Sequence, residues 1–393
     1  MVMKRLSYKQ QWLGEISQNI MAGILMGLAL LPVAIAFSFI VHISPTIGLM
    51  SCGLMMLFIS FLGERISMVS GPSSGISIVG APLVEQYNIH YLIMATLIMG
   101  IILIIFGMCH IDKILNHIPD TVVIGFMNAL GILLLTTQIK YIFGITTATY
   151  LVAIATFLII YLSSIFIRFM PAPLIAIIVV TIASYFLKPN VQLVHDLAEI
   201  RLTFPKISVY TELLNLHALS IITLYALTMS IISVVQTNLT NEMMDVITQS
   251  HSNKDREVIG QGLANLIVGL LGGYGSSALV GQSKFNFKMG ATTRLATFVT
   301  GLFLLSCVVI LGPIVGFIPM AVLASVLITI SLNTFDRRTF KHLKEAPIKH
   351  SIVMFITIIL ILMSHNLAIG VVIGTLIYYV IHFIFTKKGR PSL

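Results

Sequence analysis

The chain has 393 residues, of which 57% are hydrophobic and only 9% are charged. Soluble domains carry about 25% charged residues, so this composition excludes a protein whose whole surface faces water. The formal net charge of +9 would suit a nucleic-acid partner, so the positions of the basic residues decide between that class and a membrane protein.

Long apolar runs predict membrane-spanning helices, because about 20 apolar residues of helix cross about 30 Å of hydrocarbon. The short alternating segments of a β-barrel are missing. A polar cytoplasmic segment, 1–16, precedes the transmembrane domain, 17–386, and a cytoplasmic tail, 387–393, follows it. The apolar runs predict fourteen spans, at 17–41, 45–63, 70–83, 91–109, 119–139, 147–168, 172–188, 216–240, 256–272, 278–289, 292–315, 318–333, 348–364 and 367–386.

The basic residues are distributed unevenly about these spans. With both termini in the cytoplasm, all but four of the 23 lysines and arginines fall inside or toward the inner face. The exceptions are Lys140, Lys188, Arg201 and Lys206. This bias is the positive-inside rule of membrane insertion. It predicts a multi-pass protein of the bacterial inner membrane with cytoplasmic termini, and it excludes nucleic acid as the reason for the basic charge.

Residues arranged for catalysis or metal binding do not stand out. Cys52, Cys109 and Cys307 lie in or beside apolar spans and lack the spacing of metal ligands. A membrane-embedded enzyme would need a nucleophile with its base, or closely spaced metal ligands. The sequence contains no His-x-x-x-His or Glu-x-x-His motif, so it predicts no enzyme, no metal and no cofactor.

Two of the spans, 70–83 and 278–289, are too short to cross a membrane alone and are rich in small residues. Each is the third segment of its half if the halves meet near residue 200. Ile118-Pro119 opens the fifth span and Ile318-Pro319 opens the twelfth, at equivalent places. The sequence therefore predicts an all-α membrane protein of two inverted seven-span repeats, about 17–190 and 216–386, with a half-helix in each.

A half-helix that begins at membrane depth directs free N–H groups and the positive end of its dipole into a cavity. Broken backbone survives there only beside a cavity or inside protein, and such a helix end favours anions. Small residues in membrane helices also serve helix packing, which is the competing interpretation. The candidate anion ligands are Ser73, Ser74 and Gly75 in the first repeat and Val280, Gly281, Gln282 and Ser283 in the second.

Several stretches in order resemble the SulP family of sulfate permeases and bicarbonate transporters. The similarity runs from about Gly14 to Gly374, most specifically at Arg256–Gly273. Leu31–Phe37 looks like the family's first-helix motif and Gly71–Ser74 like its Gly-Pro-Thr segment. Ile118–Gln138 is similar to its fifth helix.

The resemblance implies a uracil-permease-type fold with an anion pocket between the third and tenth spans, walled by the first and eighth. Phe37 matches an aromatic wall of that pocket, Ser73 and Ser74 match third-span contacts, and Gly281 and Ser283 match positions around the tenth half-helix. It also implies that a core bundle, spans 1–4 and 8–11, moves against a gate bundle, spans 5–7 and 12–14. A homodimer is a further implication.

The sequence departs from the family pattern at three functional positions. Ile232 stands where many members carry a carboxylate for a coupling cation, and Gln236 replaces a small hydroxyl residue of the same site. These departures count against coupling to sodium or protons of the familiar type, while coupling to either cation and exchange stay open. Gln282 replaces a common arginine, and Lys284 either compensates for it or extends to the membrane surface.

Most members also continue into a cytoplasmic STAS domain, whereas this sequence ends at Leu393, a few residues after the last predicted span. A separately encoded partner, no such domain and a truncated chain all stay open. The expected function is secondary transport of a small inorganic anion, sulfate or bicarbonate, by alternating access. Alternatives are an uncoupled exchanger or channel-like pathway, and an anion-sensing structural or electromotile membrane protein.

Overall fold

The computed structural model describes residues 8–110, 117–167, 170–197, 205–336, 338–345, 348–364 and 367–388. The first half contains α1 (Tyr8–Leu13), α2 (Ile16–Ile40), α3 (Pro45–Leu62), β1 (Ser70–Gly71), α4 (Ser74–Gln86), α5 (Ile89–Met108), α6 (Asp120–Ile139), α7 (Thr147–Phe166), α8 (Ala172–Leu187) and α9 (Val194–Leu197). After a 3-10 turn at Thr211–Leu213, the second half contains α10 (Leu216–Thr248), α11 (Lys254–Leu270), β2 (Ser277–Ala278), α12 (Val280–Lys288), α13 (Arg294–Val315), α14 (Met320–Thr334), α15 (Arg338–Glu345), α16 (Ile348–Ser364) and α17 (Leu367–Lys388).

Each predicted span coincides with a helix. Seven helices of the described chain are long and apolar enough to cross a membrane: α2, α3, α5, α6, α7, α10 and the helix that begins at Met320. Four shorter apolar helices lie at 172–187, 294–310, 350–364 and 369–381. The remaining three predicted spans correspond to the half-helices α4 and α12 and to α11, which is the most polar of the long helices. The all-α membrane fold is thus confirmed.

The helix packing follows the symmetry of two repeats. Helix α5 packs along α11, and α3 packs along α13, so spans two and four of one half each pair with a partner in the other. Helices α6 and α14, which hold equivalent places, pack on each other. Both begin directly after a proline, Pro119 or Pro319, with φ −66° in each case. Proline is restricted to that φ, so the two Ile-Pro motifs do mark equivalent helix starts.

The helix boundaries differ from the predicted spans where a helix continues through polar residues. Helix α10 was expected at 216–240 but continues to Thr248, because hydropathy reports where a helix leaves the membrane and not where its hydrogen bonding ends. Helices α1 and α15 are too short and polar to register as spans. The short strands β1 and β2 were also not predicted, since two-residue strands have no periodicity to detect.

Candidate functional site

Both half-helices begin directly after a pair of short strands. Strands β1 and β2 pair antiparallel, with Ser70 opposite Ala278 and Gly71 opposite Ser277. Strand β1 leads into α4 and β2 leads into α12. Because the paired strands run in opposite directions, the two helices extend from the strand pair in opposite directions. Their first turns lie close to the strand pair.

A polar stripe on helix α11 makes hydrogen bonds to this strand pair and to the residues beside it. Glu257, Gln261 and Asn265 are spaced by four residues, share one face of the helix and are each 1% exposed or less. The Asn265 side chain donates to the Ser276 carbonyl at 3.0 Å and accepts from the Ser276 N–H at 2.8 Å. Gln261 Nε2 donates to Ser70 Oγ at 2.6 Å. The stripe therefore supplies hydrogen bonds to chain segments that have no helical partner.

The end of the stripe holds the chain that leads into β1. A carboxylate oxygen of Glu257 accepts from the backbone N–H groups of Glu64 and Arg65, at 2.7 and 2.8 Å. The anchoring role of α11 was not recognised in the sequence, although polar residues at a spacing of four in a membrane helix were the available signal.

The first turns of both half-helices lack a side-chain cap. Ser73 and Leu279 occupy the N-cap positions of α4 and α12, and neither side chain accepts a hydrogen bond from its helix. The Ser73 hydroxyl is only 1% exposed and has no hydrogen-bond partner among the described residues. A buried hydroxyl without a partner costs about 1–3 kcal/mol, so a ligand that accepts its hydrogen bond would recover that energy.

A cavity of about 300 Å³ lies against these two helix starts. That volume is many times what a single water molecule requires, so the cavity is large enough for a small anion with part of its hydration shell. None of the described residues that line it carries a formal charge. They are Phe37, Ser73, Ser74, Met127, Leu130, Gln236, Leu239, Ala278, Leu279, Val280, Gly281, Gln282, Ile330, Asn333 and Thr334.

Six of the eight residues predicted from the sequence line this cavity: Phe37, Ser73, Ser74, Val280, Gly281 and Gln282. Gly281 faces open space, since a Cβ added there would meet no heavy atom within 4 Å. Lys284 is exposed and does not line the cavity.

Two predicted residues face elsewhere. A Cβ on Gly75 would lie 2.7 Å from Ile232 Cγ2, on the side of α10. Ser283 is fully buried, and its hydroxyl accepts from the Val69 N–H at 2.9 Å. Successive helix residues point about 100° apart, so consecutive positions of a half-helix do not all face one cavity.

The two positions assigned to a coupling ion differ in their surroundings. Ile232 is 1% exposed and packs beside Gly75. Gln236, one turn further along α10, lines the cavity and accepts a hydrogen bond from the Ser277 hydroxyl at 2.5 Å. The cavity contacts of α6 and α14 were not predicted, because a helix start does not show which face of the helix turns inward. They are Met127, Leu130, Ile330, Asn333 and Thr334.

Two further cavities lie on either side of the first. One of about 160 Å³ shares Leu239 with it and reaches Asp120 and Glu242, where α6 begins and α10 extends past its apolar part. The other, of about 360 Å³, is lined by residues including Ile40, His42, Glu85 and Lys140. An apolar cluster separates this outer cavity from the first, and its buried members are Val33, Ala36, Phe37, Ile40, Leu134 and Leu327.

In the outer cavity, His42 Nε2 lies 2.7 Å from a Glu85 carboxylate oxygen. Burial lowers the pKa of His42 from its ordinary value, although the neighbouring Glu85 opposes that effect. His42 lies in the turn between α2 and α3 and Glu85 lies on α4, whereas Lys140 directly follows the last residue of α6.

Comparison with known sequences gives matches along nearly the whole chain. The sequence model of the sulfate permease family matches residues 16–165 and 147–357. YbaR of Bacillus subtilis strain 168, whose name proposes a sulfate transporter, is 36% identical over 369 residues, covering 94% of this chain and 77% of that protein. The bicarbonate transporter BicA of Picosynechococcus is 26% identical over 392 residues, covering 91% of this chain and 69% of that protein.

Solved structures share the fold. The transmembrane domain of a cyanobacterial bicarbonate transporter BicA superposes with a TM-score of 0.80 at 21% identity, covering 95% of this chain and 98% of that domain. SLC26A9 superposes with a TM-score of 0.82 at 18% identity, covering 98% of this chain and 67% of that chain. At such identities the likeness establishes the inverted-repeat architecture alone.

Proposed function

The chain belongs to the sulfate permease family of membrane anion transporters, and we propose that it carries sulfate or bicarbonate across the bacterial inner membrane by alternating access. In this proposal the anion sits between the first turns of α4 and α12. Its ligands are free backbone N–H groups, the hydroxyls of Ser73 and Ser74, and the cavity face of Gly281 and Gln282.

The observation that carries the proposal is the Ser73 hydroxyl, buried and unpartnered at the edge of a cavity that two helix N-termini share. Each N-terminus carries about half a positive charge, so two of them favour a monovalent or divalent anion without a charged side chain. The hydroxyl adds a donor whose hydrogen bond no described protein group accepts. A cation or an apolar solute would leave that donor and both dipoles unsatisfied.

Alternating access is supported by the arrangement of the cavities. The apolar cluster around Phe37 and Leu134 closes the path from the site to the outer cavity. On the opposite side the site adjoins the smaller cavity through Leu239, which faces the cytoplasm in the proposed topology. We assign α2–α5 and α10–α13 to the core and α6–α8, α14, α16 and α17 to the gate, and movement between them would open the cluster.

We further propose that transport runs without a sodium gradient, as uniport or exchange. The position expected for a coupling carboxylate holds Ile232, whose side chain is packed against Gly75. An apolar side chain offers no oxygen ligand to a sodium ion, which prefers oxygen ligands as other hard cations do. The uptake rate should therefore be equal with inward, outward and absent sodium gradients.

The test is uptake of radiolabelled sulfate and bicarbonate into proteoliposomes that hold the purified protein. Saturable uptake of one of the two anions is expected from the wild-type protein. Ser73→Ala removes the unpartnered hydroxyl, and Gly281→Val fills the open cavity face, so both should raise the half-saturating anion concentration. Ser306→Ala is the matched control, because it removes a hydroxyl from an exposed position of α13, where that hydroxyl donates to the Leu302 carbonyl of its own helix.

Absence of uptake of either anion by folded wild-type protein would contradict the substrate proposal. Uptake that is unaffected by Ser73→Ala and Gly281→Val would contradict the proposed site while leaving transport intact. A sodium-dependent rate would show that the protein binds a coupling cation without a carboxylate at position 232.

A further inference from the structure

We propose that Gln236 is a direct ligand of the transported anion, and that Ser277 orients its carboxamide so that the NH₂ group faces the anion. This inference rests on the proposed anion transport at the cavity between α4 and α12. It assigns Gln236 a role different from that of a coupling-ion residue: the amide donates to the anion, with no cation between them.

The position of Gln236 is suited to this role. Its side chain lies on α10, is 7% exposed and lines the same cavity as Ser73, Ser74 and Gly281. An amide that is nearly buried but lines a cavity has few hydrogen-bond partners available other than a ligand in that cavity. Helix α10 thereby contributes a third donor element beside the two half-helix starts.

The structure places the amide with its oxygen toward Ser277 and its nitrogen toward Gly75. A carboxamide has an oxygen that accepts and a nitrogen that donates. The oxygen, Oε1, accepts from the Ser277 hydroxyl at 2.5 Å, and Ser277 itself is fully buried on β2. Among the hydrogen bonds of the described residues none uses Gln236 Nε2. The N–H groups thus remain for a ligand that accepts hydrogen bonds.

Gly75 explains how the amide reaches this place. A Cβ on Gly75 would lie 3.2 Å from Gln236 Nε2 and 2.7 Å from Ile232 Cγ2. The absence of a side chain at position 75 therefore lets the amide nitrogen lie against the first turn of α4. That turn provides the free backbone N–H groups of the proposed site, so amide and backbone donors converge.

The chemical consequence concerns charge. A carboxylate at this position would repel an anion unless a cation were bound beside it, whereas an amide supplies donors with no net charge. With Ile232 filling the neighbouring space, the α10 side of the cavity binds an anion by hydrogen bonds alone. Gln236 and Ser277 together would make anion affinity independent of a bound cation.

The test measures half-saturating concentrations of sulfate and bicarbonate in proteoliposome uptake, for whichever anion the wild-type protein transports. Gln236→Glu replaces the donor by a carboxylate of nearly equal size, and we expect at least a tenfold rise at about pH 8, where a glutamate is ionised. Gln236→Leu removes both ends of the amide and should raise the concentration severalfold.

Ser277→Ala tests the orienting role. Without the serine hydroxyl the amide is free to turn its oxygen toward the anion, so the half-saturating concentration should rise while the maximal rate stays within about twofold of wild type. A merely structural defect would lower the maximal rate or the yield of folded protein instead. Gln192→Glu is the matched control for added charge, because Gln192 is exposed in the loop between α8 and α9, away from the cavity.

A second readout covers variants that bind without transporting. Sulfate and bicarbonate should raise the thermal unfolding temperature of the wild-type protein in detergent, and much less that of Gln236→Glu. Affinity within twofold of wild type in Gln236→Glu, or unchanged or tighter binding in Gln236→Leu, would overturn the proposal. Wild-type uptake with unaltered Gln236 variants would overturn this inference alone, whereas absent wild-type uptake and stabilisation would overturn the proposed function with it.

Discussion

Gly75 and Gly281 form a matched pair that tests the geometry of the two half-helices. Each is the second residue of its helix, α4 or α12, so Gly→Ala makes the same chemical change at the same helical position. The surroundings differ. A Cβ on Gly75 would lie 2.7 Å from Ile232 Cγ2, whereas a Cβ on Gly281 would meet nothing within 4 Å.

The expected effects on folding follow from this difference. Replacing glycine by alanine without strain stabilises a protein by about 0.4–1 kcal/mol, because the unfolded chain loses freedom. Gly281→Ala should therefore leave the free energy of unfolding unchanged or slightly higher. Overpacking costs about 1–3 kcal/mol, so Gly75→Ala should lower the free energy of unfolding by about 1–2 kcal/mol after the same gain is subtracted.

Ile232→Ala supplies the internal check. Alone it should cost about 2–5 kcal/mol through the cavity it leaves, but in the double variant with Gly75→Ala the new methyl group enters vacated space. The two effects should then fall short of additivity by about 1 kcal/mol or more, as for residues in contact. The assay is unfolding by titration with SDS in mixed micelles, with anion uptake measured in parallel.

Two results would refute this reasoning. Equal free energies of unfolding for Gly75→Ala and Gly281→Ala would mean that α4 does not pack against α10 at Ile232. Full additivity in the double variant would mean that the two side chains do not touch. Uptake should be impaired in both variants, because Gly281→Ala adds a methyl group to the cavity and Gly75→Ala places one 3.2 Å from the Gln236 amide nitrogen.

Three other perturbations test neighbouring parts of the structure. Asn265→Leu leaves the Ser276 N–H and C=O without their side-chain partner. The free energy of unfolding in mixed micelles should therefore fall by about 2–6 kcal/mol. A loss below about 1 kcal/mol would contradict the anchoring role of α11. Phe37→Ala removes a large side chain from the apolar cluster between the two larger cavities, and we expect a non-saturable leak of anion in proteoliposomes. Phe166→Ala is the control, because Phe166 is 78% exposed. Burial lowers the pKa of His42 below 6.5, so the unfolded state binds more protons than the folded state as the pH falls through 6.5. The free energy of unfolding should therefore decrease from pH 6.5 down to the folded pKa. His42→Gln should remove part of this decrease, and a pH profile identical to that of the wild type would contradict the assigned cause.

Local sequence properties determined the membrane architecture. Hydropathy marks each stretch that has to leave water, so the helices at 45–62 and 147–166 lie within about two residues of the predicted spans. Proline restricts the backbone wherever it occurs, which is why the starts of α6 and α14 were found. Small residues in two short spans at matching places of the two halves likewise identified both half-helices, because that combination points to the broken helices of a transporter.

Only the tertiary structure decided which of those residues share the cavity. Ser73 and Gly75 are two positions apart, yet one faces the cavity and the other faces α10. The pairing of Gln236 with Ser277 spans 41 residues, and the bonds from α11 to Ser70 and Ser276 join separate segments. Such contacts depend on how helices rotate about their axes when they pack, and that rotation is set by all the neighbours together. A single sequence therefore specifies the elements of this site, while their convergence is a property of the folded chain.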